Sequence, residues 1–217
     1  MNTQIANLKP LSPALQSPFS ADLSHPARRH FAGNVLVRME ALAHFNELLA
    51  RLQHFPLHRD QVATASRALA QPADQQRPPA EIEQRLQLID AVGRMIADAS
   101  WQTAGHAITP ARLVVDYTRS ERRLIPYGIP GNGRLDDATL MDAAWQQLAD
   151  EVDGYLDVCR LRAIEAALRG CEIADFAFSR DDWQRARCAE AGLHARARRA
   201  ATNSYLPAPA RTNFRVF

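Results

Sequence analysis

Two adjacent aspartates are the side chains whose type and spacing come closest to a chemical site in this sequence. Asp136 and Asp137 follow a segment interrupted by prolines and glycines, and Asp142 lies a few residues further along. Carboxylate oxygens are the ligands that hard cations such as Mg²⁺ and Ca²⁺ prefer. An aspartate at a helix start also caps the first backbone amides and favours the positive end of the helix dipole. We interpret the pair as a helix cap, and a metal-dependent enzyme that uses Asp136 and Asp137 as ligands is the alternative.

The histidines and cysteines do not form a recognisable catalytic or metal-binding pattern. Pro56 separates His54 from His58, so this spacing does not fall within a helix. The three cysteines include no Cys-x-x-Cys pair, which argues against a zinc site or a disulfide framework. Nucleophile-elbow, P-loop and dinucleotide-binding motifs are missing as well. We therefore expect no cofactor, and the sequence favours a protein that is not an enzyme.

The C-terminal part of the chain is basic, although the whole chain carries a formal net charge of only +2. From Arg180 to Phe217 there are eight arginines and three acids. Arg196, Arg198 and Arg199 form the densest group, which is typical of a surface for an acidic partner or for nucleic acid. A solvated helix face has the same composition, and we favour it over nucleic-acid binding because few aromatic side chains accompany the arginines.

The segment between residues 124 and 137 cannot be helical throughout, because prolines and glycines interrupt it repeatedly. Two Ile-Pro pairs form a stiff, extended turn, since proline fixes its own φ angle and restricts the residue before it. We expect the apolar side chains of this hairpin to insert into a helical core, while glycine supplies backbone freedom. The residues of the predicted structural hairpin are Leu124, Ile125, Pro126, Ile129, Pro130 and Gly133.

The same stretch resembles a known family. Residues 117–141 are similar to the YkvA-like domain, a small bacterial domain of unknown function with a hairpin of the form S-P-x-D-L-I-P-D-x-I-P-x-x-G-x-L-D-D between two helices. The Leu-Ile-Pro, Ile-Pro, Gly and Leu-Asp-Asp parts of this pattern are present. The Ser-Pro-x-Asp part reads Ser-Glu-Arg-Arg at residues 120–123, and Tyr127 replaces the acid after Leu-Ile-Pro. The resemblance implies a helical fold and no established activity.

Apolar side chains recur with helical spacing between residues 33 and 201, and stretches that alternate between apolar and polar residues are missing. The predicted fold is therefore all-α, a single domain of five or six helices with the hairpin between the fourth and fifth. Residues 1–32 are predicted to form an irregular or disordered arm, and residues 202–217 an irregular tail. The predicted helices run from Asn34 to before Pro56, over 59–70 and 78–101, from Thr109 onwards, and over 137–169 and 179–201.

The overall composition is that of a globular protein, with 47% apolar and 23% charged residues. The sequence contains neither a secretory signal pattern nor the run of about 18 apolar residues that spans a bilayer. We expect a cytoplasmic protein, with export as an effector left open by the serine- and proline-rich arm. The leading hypothesis is a non-enzymatic bacterial interaction or regulatory protein of the YkvA-like type that binds a protein partner. A homodimer through the alanine-rich seam of the fifth helix is also left open.

Overall fold

The structure is a computed structural model that describes residues 8, 10–16, 18, 30–70, 78–129 and 132–203, with side chains described to residue 200. The chain divides into two compact units, Met1–Asp157 (unit 1) and Val158–Phe217 (unit 2). The all-α prediction is confirmed, and the hairpin lies between the fourth and fifth helices. The helices are α1 Met39–Arg51, α2 Arg59–Ala68, α3 Ala80–Ala97, α4 Gly105–Arg119, α5 Leu135–Arg169 and α6 Arg180–Asn203.

The start of the first helix differs from the prediction. Asn34 does not cap it; it lies in the turn between two short antiparallel strands, β1 Phe31–Ala32 and β2 Val35–Leu36. Gly33 adopts a φ of +60°, which glycine tolerates and which allows the chain to reverse within two residues. α1 therefore begins at Met39, and the prediction that the chain has no sheet is wrong for this small ribbon.

α4 also begins earlier than predicted, at Gly105, and contains Pro110. Proline cannot donate a backbone hydrogen bond, so the sequence suggested a helix start at this point. Pro110 is buried, whereas His106, one turn before it, is exposed. The helix therefore accommodates a proline that usually marks a first turn.

Part of the predicted N-terminal arm packs against the helices of unit 1, to which it belongs. A 3-10 turn spans Pro13–Leu15, and Leu11 and Leu15 are buried. The buried amide of Gln61 in α2 donates from Nε2 to the carbonyl of Ala14 over 2.9 Å, and its Oε1 accepts from the backbone of the residue before α2. Most other residues of the arm, and residues 204–217 of the predicted tail, lie outside the described residues.

The first half of α5 forms the centre of the core of unit 1. Leu140, Ala144, Leu148 and Val152 recur with helical spacing and are fully buried, as the predicted seam requires. Burial of each leucine side chain contributes about 1.5–3 kcal/mol to folding. Among the described residues, the helices are all too short or too polar to cross a membrane.

Unit 2 consists of the end of α5, a 3-10 turn at Ile173–Asp175, and α6. Gly170 ends α5 with a φ of +67°, as predicted. Ser179 and Asp182 form a reciprocal cap at the start of α6, which the prediction placed at residue 179. The Ser179 backbone donates to Asp182 Oδ2 over 2.8 Å, and the Asp182 backbone donates to Ser179 Oγ over 3.3 Å.

Candidate functional site

The Ile-Pro hairpin inserts its apolar side chains into unit 1. Leu124, Ile125 and Ile129 are buried, while Pro126 is exposed. Asn132 is also buried, and its Nδ2 donates to the carbonyl of a residue in α2, Ser66, over 2.6 Å. Pro130 and Gly131 lie outside the described residues.

Gly133 allows the two arms of the hairpin to approach closely. Its backbone N–H donates to the carbonyl of Ile129 over 2.9 Å. A Cβ atom at this position would overlap the carbonyl oxygen of Tyr127 and lie 2.9 Å from that of Ile129. Only glycine fits at this point of the predicted hairpin without a backbone shift.

Asp136 is buried beneath the hairpin and accepts hydrogen bonds from three directions. Its Oδ2 accepts from the Tyr117 hydroxyl over 2.6 Å and from the Ile125 backbone over 3.2 Å. Its Oδ1 lies 3.3 Å from Nη2 of Arg123. The backbone of Leu124 donates to the Tyr117 hydroxyl over 3.0 Å, which extends the chain of hydrogen bonds into the hairpin. One carboxylate thus joins α4, the hairpin and α5.

Asp137, the second aspartate of the pair, is fully buried and faces two arginines. Its Oδ2 accepts from Nε of Arg134 over 2.9 Å, and its Oδ1 is in ion-pair contact with Nη2 of Arg123 at 2.5 Å. The guanidinium of Arg123 also stacks on the ring of Tyr127, 3.7 Å from the ring centroid. We call these six residues the hairpin cluster: Tyr117, Arg123, Tyr127, Arg134, Asp136 and Asp137.

Burial changes the acid–base behaviour of the cluster. Loss of water raises the pKa of Asp136; the positive charge of Arg123 opposes this shift, and the negative charge of Asp137 adds to it. Burial also raises the pKa of Tyr117, and the neighbouring Asp136 raises it further. Tyr117 therefore remains a hydrogen-bond donor, and its proton is held in the network instead of being available for transfer.

The predicted cap role of the aspartates needs correction. α5 begins at Leu135, and its first helical hydrogen bond runs from Ala138 N–H to Arg134 O over 3.1 Å. Asp136 and Asp137 are therefore the second and third residues of the helix, not its cap. They still lie at the positive end of the helix dipole. The Asp136 carboxylate accepts both from the Asp137 backbone of its own helix over 3.1 Å and from the hairpin backbone at Ile125 over 3.2 Å.

The alternative interpretation of Asp136 and Asp137, a metal site, meets two arginine side chains that already pair with these carboxylates. Arg123 and Arg134 neutralise both carboxylates, so the pair offers no net negative charge for a metal ion. Asp142, which the sequence suggested as a third ligand, instead faces Arg85. Within the described part of the chain, no group of three or more histidine, cysteine, aspartate or glutamate side chains is arranged to hold a metal.

A second ion pair, which was not predicted, joins buried Arg85 to partly exposed Asp142. Arg85 is fully buried in α3 and binds Asp142 of α5 through Nε at 2.8 Å and Nη2 at 3.2 Å. Burial raises the pKa of Asp142, and its hydrogen bond with Arg85 opposes the shift. Ile82 and Ile89 flank Arg85 at helical spacing on the buried face of α3, and this spacing was the signal available in the sequence. A cavity of about 310 Å³ adjoins the pair, beside His54.

The predicted basic surface lies on α6 in unit 2. Arg196, Arg198 and Arg199 are all exposed, and they do not belong to the hairpin cluster. Nε of Arg196 donates to Gly192 O over 3.4 Å, and Nε of Arg199 donates to Ala195 O over 3.3 Å. Their side chains thus lie back along the helix, with their guanidinium groups at its surface.

Comparisons of the chain with protein-family models, curated proteins and solved structures found no match. The resemblance of residues 117–141 to the YkvA-like family therefore stays a prediction.

Proposed function

We propose that this chain is a non-enzymatic interaction protein of the YkvA-like type, whose unit 2 binds an acidic protein partner. The observation that carries the proposal is the exposure of unit 2. Between residues 158 and 200, Val158 and Ala166 are the two described residues that are buried. A segment of this length that is stable by itself usually buries more of its side chains. The exposed surface of unit 2 is therefore a candidate for contact with a partner.

Apolar side chains remain exposed along both helical segments of unit 2. Leu168 of α5 is 77% exposed and Leu193 of α6 is 61% exposed. Ile164 and Ile173 are about half exposed. Arginine beside exposed apolar groups is the composition that protein–protein interfaces favour, since interface cores bury apolar area and arginine supplies anchoring hydrogen bonds. This mixture supports a protein partner over nucleic acid.

The charge distribution of α6 indicates the sign of the charge on the partner's surface. Its first half contains compensated pairs, Arg185 with Asp182 and Arg187 with Glu190. Beyond Glu190 the helix carries three arginines and a histidine, and no acid up to its end at residue 203. An acidic surface therefore complements the second half of α6.

The hairpin cluster supports a structural role for the Ile-Pro hairpin and the two aspartates that follow it. Its carboxylates are buried and neutralised by arginine, and that of Asp136 also accepts from the Ile125 backbone. A general acid or base needs contact with a substrate, which this arrangement does not offer. The hairpin cluster then stabilises unit 1, while the proposed binding surface belongs to unit 2.

The test compares two triple variants of the whole chain. In one, Arg196, Arg198 and Arg199 are replaced by glutamine; in the matched control, three exposed arginines of unit 1 are replaced, namely Arg38, Arg94 and Arg119. The probes are a synthetic amphipathic helix of glutamate and leucine, and a DNA duplex of equal charge. We expect the peptide to bind the parent protein and the control, and to lose at least about tenfold in affinity with the α6 variant.

Fluorescence anisotropy at several salt concentrations measures these affinities. Equal binding of the peptide to both variants, or tighter binding of the duplex than of the peptide, would overturn the proposal. A duplex preference with a steep salt dependence would indicate a nucleic-acid binder instead.

A further inference from the structure

A groove on the surface of unit 1 lies between α1 and α4 and encloses about 380 Å³. Its apolar lining comes from Leu48 of α1 and from Ile108 and Leu113 of α4, with the ring of Tyr117 at one end. Leu113 and Tyr117 are buried, and Leu48 and Ile108 are partly exposed. Tyr117 is the one residue of the hairpin cluster that lines the groove. In the described ranges of the chain, the Ile-Pro hairpin and the proposed interaction surface on α6 contribute no residue to its lining.

Two arginines border this groove from opposite helices. Arg51 belongs to α1 and Arg112 to α4, and both are exposed. Within the described part of the chain, no acid lies within ion-pair distance of either guanidinium. The positive charge of Arg51 interacts favourably with the negative, C-terminal end of the α1 dipole. Arg112 lies in the middle of α4, where this interaction is missing. The two cations are thus available to a ligand.

The acids around the groove do not cancel this charge. Asp116 lies one turn after Arg112 and contributes one negative charge to the lining. His44 also lines the groove, and its ring is 3.6 Å from the carboxylate of Glu47, which faces solvent. Two arginines against one aspartate leave the groove with a net positive charge.

We propose that this groove binds a small amphipathic anion, that is, a carboxylate or phosphate group attached to an apolar chain. The guanidinium groups of Arg51 and Arg112 bind the head group through charge-assisted, bidentate hydrogen bonds. The leucine and isoleucine side chains cover the apolar chain. The volume falls in the usual range of small-molecule sites, and an apolar lining with a few polar groups is their usual composition. This site is independent of the proposed partner surface on α6.

The experiment uses the whole chain and four probes with defined chemistry. Octanoate and octyl phosphate carry both an anionic head and an apolar chain, octanol lacks the charge, and inorganic phosphate lacks the chain. Calorimetry should show saturable binding of the first two probes and much weaker binding of the others. The ratio between octanoate and octyl phosphate tells which head group the site prefers.

Four single variants locate the site. Arg51→Gln and Arg112→Gln should each weaken binding of the preferred probe by about tenfold. Arg94→Gln, a matched change at an exposed arginine of α3, should leave it unchanged. Asp116→Asn should strengthen binding, because it removes the one negative charge of the groove lining that faces the anion. All four positions are exposed or on the groove rim, and circular dichroism verifies that each variant folds.

Several results would overturn the assignment. These are no saturable binding of either amphipathic anion, equal affinity for octanol, or an affinity that Arg51→Gln and Arg112→Gln leave unchanged. A loss of affinity with Arg94→Gln as large as with Arg112→Gln would place the anion elsewhere and would also contradict the proposal. None of these results affects the peptide-binding test of α6.

Discussion

The hairpin cluster of unit 1 and helix α6 of unit 2 use the same kind of ion pair in opposite surroundings. Arg123 and Asp137 are in contact at 2.5 Å with side chains 5% and 0% exposed. Arg185 and Asp182 are in contact at the same distance with side chains 77% and 36% exposed. Residue type and distance are equal, but the pairs differ in burial, and the exposed pair lies within one helical turn while the buried pair joins the hairpin to α5.

Burial decides what each pair does. Buried charges cannot exchange their partners for water, so the carboxylates of the hairpin cluster depend on the arginines and hydrogen-bond donors that surround them in one geometry. Exposed pairs on a helix surface are exchanged with water at little cost. The cluster therefore fixes the hairpin in place, whereas the exposed ion pairs of α6 constrain their side chains little.

The largest expected effect follows from removing a carboxylate of the cluster. Asp136→Ala leaves the Tyr117 hydroxyl, the Ile125 backbone and Arg123 without this acceptor, and should lower the free energy of unfolding by about 3–5 kcal/mol. Urea denaturation followed by tryptophan fluorescence measures the change. A Trp183→Phe background leaves Trp101 and Trp145 as reporters of unit 1.

The matched control removes a carboxylate from α6. Glu190→Ala breaks the exposed pair with Arg187 and should change the free energy of unfolding by no more than about 0.5 kcal/mol. Similar losses for the two variants would show that burial does not distinguish the regions.

A second, smaller effect concerns the close approach of backbone within the hairpin. Gly133→Ala places a methyl group against the carbonyls of Tyr127 and Ile129, and should cost about 1–3 kcal/mol of stability. Gly128→Ala is the control, because its Cβ meets open space. That change should cost nothing and gain up to about 1 kcal/mol by restricting the unfolded chain. Thermal unfolding of both variants tests the difference, and equal melting temperatures would contradict it.

The smallest effect is a difference in titration. Asp136 has a raised pKa because it is buried, whereas backbone and side-chain hydrogen bonds from Ser179 lower the pKa of Asp182. The contribution of Asp136 to stability is therefore greatest in acid and decreases as pH rises from the ordinary aspartate pKa through the raised value. That of Asp182 is present above the ordinary pKa and is lost as pH falls through the lowered value. Carboxyl-carbon NMR titration should show Asp136 protonating at the higher pH, and the reverse order would refute the comparison.

Much of the fold could be predicted because the signals are local. The seam of α5 from Leu140 to Val152 shows the 3.6-residue period of a buried helix face, and Ser179 precedes α6 as a cap. The boundaries were harder, as Asn34 and Pro110 show. Asn34 suits a helix cap and a tight turn equally well, and the positive φ of Gly33 settles the choice.

The site was less predictable, because partners far apart in the sequence define it. The sequence by itself determined the helices, the buried hairpin and the carboxylate pair. Only the tertiary structure decided that Asp136 bonds Tyr117, 19 residues away, and that Arg85 binds Asp142 across 57 residues. Periodicity and caps depend on neighbours within a turn or two, whereas the choice of an ion-pair partner depends on which helices pack together. That packing also set Arg51 and Arg112 on opposite sides of one groove.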